Sequence, residues 1–191
     1  MSKHRQDLRI NHPPWLEAAV DWQQSYQTDE DKVRLAIALA RENVLRETGG
    51  PFAAAIFQAP AGRLVAVGVN SVVRLGNSVL HAEIVAFMMA QHHVQSFTLA
   101  APGLPRHELA TSCAPCAMCL GAALWSGVKR IVFGAERQDA GEMGFDEGPV
   151  FPDSYQYLRD RGMEIVGGVL REEARAVLWL YRSRGGQIYN G

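Results

Sequence analysis

Two short runs, His81-Ala82-Glu83 and Pro115-Cys116-Ala117-Met118-Cys119, stand 33 residues apart from Glu83 to Cys116. If they serve one ion, the intervening chain must leave a point and return to it, and that restricts the fold more than any other feature. Cysteines at i and i+3 in the first turn of a helix lie on one face, so two sulfurs can reach one tetrahedral zinc ion at about 2.3 Å each. One imidazole makes three protein ligands and leaves a fourth position for water, the arrangement of a catalytic site rather than a closed structural one. The expected ligands are His81, Cys116 and Cys119. Glu83 sharpens the reading, because water at the open position needs a base to take its proton, whereas a structural site has no use for a carboxylate there. Residues two apart diverge around a helix, so His81 and Glu83 share a site only where a helix begins. The positive ends of both helix dipoles favour thiolates and an ionised Glu83. Cys113 is also three residues from Cys116, but Pro115 favours a helix start that leaves Cys113 outside it, and it reads as a buried inert thiol.

The rest of the chain supplies a scaffold in which such a meeting occurs. Pro13 and Pro14 precede an amphipathic stretch, residues 15–26, that reads as a first helix. Thr28 with Asp31 is an N-cap pair, and Val33, Ile37, Ala40 and Val44 recur at helical spacing until Gly49-Gly50-Pro51. Residues 52–58 and 63–69 form an antiparallel hairpin around Ala59-Pro60-Ala61-Gly62, ended by Asn70. A helix over 82–93, a strand over 108–112, a helix opened by the cysteines and stopped at Gly127, and a buried strand over 130–135 follow. Residues 138–152 read as a loop, then come a helix near 153–161, a strand over 164–169 and a last helix carrying Leu170, Ala174, Val177, Leu178 and Tyr181. Alternating strands and helices after a hairpin predict an α/β fold on one mixed sheet with helices on both faces. Ligands in such sheets gather at the carboxyl ends of strands.

With 191 residues the chain fits one domain. Nineteen Lys plus Arg against twenty Asp plus Glu give a net charge of -1, so no global field recruits nucleic acid or an anionic membrane. The lysines are only Lys3, Lys32 and Lys129, and a nucleic-acid partner is not expected. No apolar run is long enough to span a bilayer, and three cysteines clustered within seven residues fit metal binding in a reducing, cytoplasmic setting better than a disulfide scaffold.

An H-x-E run followed by P-C-x-x-C is the signature of zinc deaminases, and the sequence resembles the cytidine deaminase superfamily over roughly residues 30–184. The resemblance implies a three-layer α/β/α sandwich on a five-stranded sheet, zinc (Zn2+) held by His81, Cys116 and Cys119, and Glu83 shuttling protons as ammonia leaves an amidine-like carbon. Gly49-Gly50-Pro51-Phe52, the run from Cys119 to Trp125, and Gly144-Phe145-Asp146-Glu147-Gly148 resemble the guanine deaminase branch. That branch implies a nucleobase substrate, guanine above all, with amino-triazines such as ammeline as further candidates. It assigns Asn70, Phe52, Ala82, Trp125 and Asp146 to the substrate pocket, with Asn70 hydrogen-bonding the base, Phe52 and Trp125 walling it, and His81 stacking on the purine. Glu147 matches a second catalytic carboxylate, able to accept from guanine's paired ring N–H and amino donors.

The same resemblance implies a homodimer and divides the chain into an extension (1–28), a deaminase domain (29–184) and a tail (185–191) with Tyr189 that closes over the site. Ala114 departs from the family, which commonly carries glutamate there, so a contact behind the metal is missing or supplied elsewhere. Two other functions compete with this one. A tRNA adenosine or cytosine deaminase needs a phosphate-binding surface, for which Arg182 and Arg184 are the nearest basic patch, and a non-catalytic zinc protein leaves Glu83 without a role.

Overall fold

The structure is a computed structural model that describes residues 8–190, so the first seven residues of the expected extension and Gly191 lie outside the described residues. In chain order the elements are α1 (Asp29–Leu45), β1 (Ala53–Ala59), β2 (Arg63–Val69), α2 (Val72–Leu75), α3 (Ala82–His93), β3 (Arg106–Cys113), α4 (Ala117–Ser126), β4 (Arg130–Ala135), α5 (Arg137–Met143), α6 (Pro152–Arg159), β5 (Glu164–Val166) and α7 (Arg171–Ser183).

The five strands form one sheet in the order β2-β1-β3-β4-β5. β1 is antiparallel to both β2 and β3, while β3, β4 and β5 run parallel. Both faces of the inner strands are buried, so these strands are continuous apolar runs whose successive side chains serve opposite layers. Phe57, Ala110 and Val132 join the cluster beneath α1 and α7, and their neighbours Ile56, Leu109 and Ile131 join the cluster beneath α3 and α4. The result is the expected three-layer α/β/α sandwich.

Local chemistry sets the element ends that matter for function. Thr28 and Asp31 form a reciprocal capping box that starts α1. His81 and Cys116, both in extended conformation, are the N-cap residues of α3 and α4. Gly127 ends α4 at φ 87°, and a side chain there would meet Thr98 Oγ1 at 2.6 Å. Gly68 of β2 lets α3 lie directly on the sheet, since a Cβ would stand 2.2 Å from the Ala82 carbonyl oxygen.

Three local expectations are corrected and one element is new. In residues 15–26 the only helical element is a 3-10 turn, Glu17–Ala19, and Ser25 bridges to Arg63 of β2. Leu16, Val20 and Tyr26 are nonetheless buried, because the segment drapes them along the core edge, and Tyr26 N donates to Gly62 O at 2.8 Å. Within the expected loop 138–152 lies α5, started by Asp139 Oδ2 accepting from Glu136 N at 2.8 Å and held by two arginines of α7. β5 is three residues long because Gly167 and Gly168 follow it, and the short α2 was not expected. Among the described residues no helix is long and apolar enough to cross a membrane.

Candidate active site

The two chemically loaded runs meet at the carboxyl end of β3, where Cys113 ends the strand and Ala114 N donates to Ala135 O of the parallel neighbour at 2.8 Å. Pro115 and the N-cap geometry at Cys116 then turn the chain into α4 with both sulfurs on its inner side. From the other direction, the His81 N-cap directs its ring to the same point, with Nδ1 3.5 Å from Cys116 Sγ and 3.7 Å from Cys119 Sγ. The three ligand atoms all lie within 4.8 Å of one another. A tetrahedral site with Zn–S near 2.3 Å and Zn–N near 2.0 Å has sulfur-to-nitrogen edges of about 3.5 Å, so these donors fit zinc in both type and spacing.

Glu83 is 8% exposed and lines the cavity beside the donors. Burial, and after it the negative charge of Cys116, pushes its carboxyl up to about 7. Cys116 is pulled down to about 4, first by a hydrogen bond from the Cys119 thiol and then by His81, which leaves the Cys119 thiol raised as the donor of that pair. Burial lowers the His81 imidazole, but Cys116 and Glu83 outweigh it and the net shift is upward. The acidic groups thus oppose one another's ionisation, a crowding that a dication would relieve.

Of the sequence-derived pocket residues, Phe52, Asn70, Asp146 and Glu147 line the same cavity. Burial, then the Cys116 and Glu83 charges, raises Glu147 to about 8. Ala82 does not line the cavity; it is buried at the start of α3, in the packing layer against β2. Trp125 stands apart from it too. It is 80% exposed and does not line the cavity, because six residues beyond the inward-facing Cys119 a helix has turned about 240° from it. Residues not assigned to the pocket from the sequence complete the walls: Thr111 and Ser112 of β3, Cys113, buried as expected but at the cavity wall, and Phe145, which packs edge-on against Phe52 at 4.9 Å and Tyr189 at 5.2 Å. The β3 residues were accessible to the rule that ligands sit at strand carboxyl ends, but Phe145 carries no sequence signal beyond its motif. Outside the cavity, a cleft of about 330 Å³ continues from His81, Cys116 and Glu147 between Val79, Met118 and Asn190.

Comparison with known proteins extends the geometry. Residues 26–135 match the cytidine and deoxycytidylate deaminase zinc-binding region. The chain belongs to this family. This deaminase is 37% identical over 124 residues to guanine deaminase of Bacillus subtilis, covering 65% of the chain and 75% of that relative. It is 30% identical to a tRNA-specific adenosine deaminase of Haemophilus influenzae, across 76% of the chain and 78% of the relative. Among solved structures it superposes on guanine deaminase from Nitrosomonas europaea with a TM-score of 0.89 at 38% identity, covering 95% of this chain and 100% of that one. A structure of NE0047 in complex with 2,6-diaminopurine gives a TM-score of 0.89 at 41% identity over 95% and 96% of the two chains. The molecule is thus a zinc-dependent deaminase of guanine deaminase-like type.

Proposed function

We propose that this deaminase acts on guanine as the free base, converting it with water into xanthine and ammonia. The observation that carries the reading is a second, partly buried carboxylate, Glu147, which lines one cavity with Glu83, Asn70 and the zinc ligands His81 and Cys116, with Cys119 beside them. Guanine presents a ring N–H beside its amino group, and a carboxylate accepts from both; adenine lacks that donor pair. Two such donors favour the charged form of Glu147. The similarity to guanine deaminases of two organisms supports the same substrate.

Zinc bound by His81, Cys116 and Cys119 supplies the Lewis acidity that makes water nucleophilic near neutral pH. Glu83, with its carboxyl near 7, is poised both to accept and to return a proton. It takes the proton water releases as the C–O bond forms at the amino-bearing carbon and passes it to the adjacent ring nitrogen. The second water proton follows onto the amino nitrogen, the C–N bond breaks, and ammonia leaves. Asn70 orients the base, Phe52 packs on it, and Asp146 borders its amino edge.

The tail belongs to the same proposal as a cover for the site. Tyr189 lines the cavity, and Asn190 accepts from Asp146 N at 2.9 Å and donates to Gly144 O at 3.0 Å, on the loop that bears Glu147. A homodimer is supported by the exposed Trp125 and Met118 on α4 and by the apolar groove that Leu120 and Leu124 form with Val150 and Tyr157. Three free cysteines suit a cytoplasmic location.

Ammonia release from guanine, ammeline, cytosine, adenine and a tRNA stem-loop tests the substrate. Turnover with guanine is expected to lead the panel. Preference for cytosine, adenine or the stem-loop overturns the guanine reading.

A further inference from the structure

We propose that Asn43, outside the cavity, is a positioning residue for base recognition: it aims Asn70 through the backbone and is itself oriented by Thr48 and by Trp15 of the amino-terminal segment. The inference rests on the reading of Asn70 as the amide that binds the base. Asn43 lies in the last turn of α1 and is fully buried, at 0% exposed. Its Nδ2 donates to the carbonyls of Gly50 at 2.9 Å and Asn70 at 3.0 Å, and its Oδ1 accepts from Thr48 Oγ1 at 2.7 Å. Thr48 Oγ1 in turn accepts from Trp15 Nε1 at 3.0 Å. Chemistry gives this relay one direction. The indole N–H only donates, the two carbonyls only accept, and the Thr48 hydroxyl therefore spends its own proton on Asn43.

The carbonyls that Asn43 gathers flank the open end of the hairpin. Gly50 precedes β1, Asn70 follows β2, and Asn70 N donates to Phe52 O at 2.9 Å across the gap. Asn70 Oδ1 accepts from Val72 N at 3.3 Å, which leaves the donor half of its amide for an acceptor on the base. The approach is close enough to require glycine at 49, where a Cβ would stand 2.0 Å from the Asn70 carbonyl oxygen and 2.7 Å from Asn43 Nδ2. The amino-terminal segment also ties to the residue after Asn70, since Arg74 Nη2 donates to both Asn11 O at 2.6 Å and Ser71 Oγ at 3.0 Å. Residues ahead of α1 thus connect to the Asn70 backbone and to its neighbour Ser71 without entering the cavity.

Asn43→Asp would set a charge against two carbonyls in the core and risks the fold, so Thr48→Val is the informative variant, with Thr48→Ser as rescue and Trp15→Phe as the outer link. On the zinc-loaded enzyme with guanine, Thr48→Val is expected to raise KM about threefold to tenfold, the worth of one buried hydrogen bond, with kcat within about twofold. Trp15→Phe should move KM in the same direction, and Thr48→Ser should restore it. In an Asn70→Ala background, Thr48→Val should add no further change in KM. A purely structural role would lower the melting temperature and leave KM alone. Unchanged KM in Thr48→Val, or an effect that multiplies with Asn70→Ala, overturns the inference. If Asn70→Ala itself leaves KM at the parent value, the assignment of Asn70 falls and takes the inference with it.

Discussion

At the scale of single residues, two carboxylates in one cavity have to be told apart. Glu83→Gln keeps size and one acceptor oxygen but cannot take a proton, so it should lower kcat by about 10²-fold to 10⁴-fold while zinc content and fold stay as in the parent. Metal analysis beside an ammonia assay checks both halves, and unchanged turnover would remove Glu83 from the chemistry. Glu147→Gln retains one acceptor and loses the charge that two donors favour. It should retain zinc and lose most of its kcat/KM with guanine. Near-parental turnover would return that loop to solvent. The zinc ligands were legible because proline followed by cysteines three apart leaves little choice of geometry. Trp125 was not. Its placement depends on how far α4 has rotated past Cys119 and on which surface the rest of the molecule covers, and no local pattern encodes that.

Elements show the same division between local and distant causes. α1, α3 and β4 could be read because their apolar runs, and for α1 its cap, lie within or beside the segment itself. α5 could not, because a seven-residue helix with a glycine inside it draws its stability from elsewhere. Asp139 of α5 is 1% exposed and bound by Arg171, through Nε at 2.8 Å and Nη2 at 2.9 Å, and by Arg175 Nε at 2.9 Å. The hydrogen bonds from Arg171 hold its carboxyl below the usual range against the opposing effect of burial. A lowered folded-state pKa means that the stability Asp139 contributes is present above the unfolded value near 4 and is lost as pH falls through the folded value. Asp139→Asn should therefore lower stability at pH 7 by roughly 1–3 kcal/mol and flatten the acid limb of the stability curve below about pH 4. Urea melts across pH 2.5–7 measure this. An acid limb identical to the parent's would show that the pair does not set α5 in place.

For the molecule as a whole, alternation of strands and helices specified the layer architecture, and the segment before α1 escaped because its apolar residues wrap a core made by others. Assembly is the property that only the whole surface can carry. Trp125, Met118 and the groove between α4 and α6 put apolar area where a second copy would be buried. Sedimentation of the parent at micromolar concentration should give twice the chain mass, and Trp125→Glu should shift it toward the monomer. A monomeric parent would rule the homodimer out.

Gly68 shows that part of a catalytic apparatus can consist of missing atoms. The helix that carries His81 and Glu83 rests on bare backbone there, so a single methyl group on the hairpin would act as a wedge under the histidine. Saturation mutagenesis should find no tolerated replacement at 68, with alanine weakening zinc retention, although the position lies outside the cavity lining and offers chemistry nothing but room.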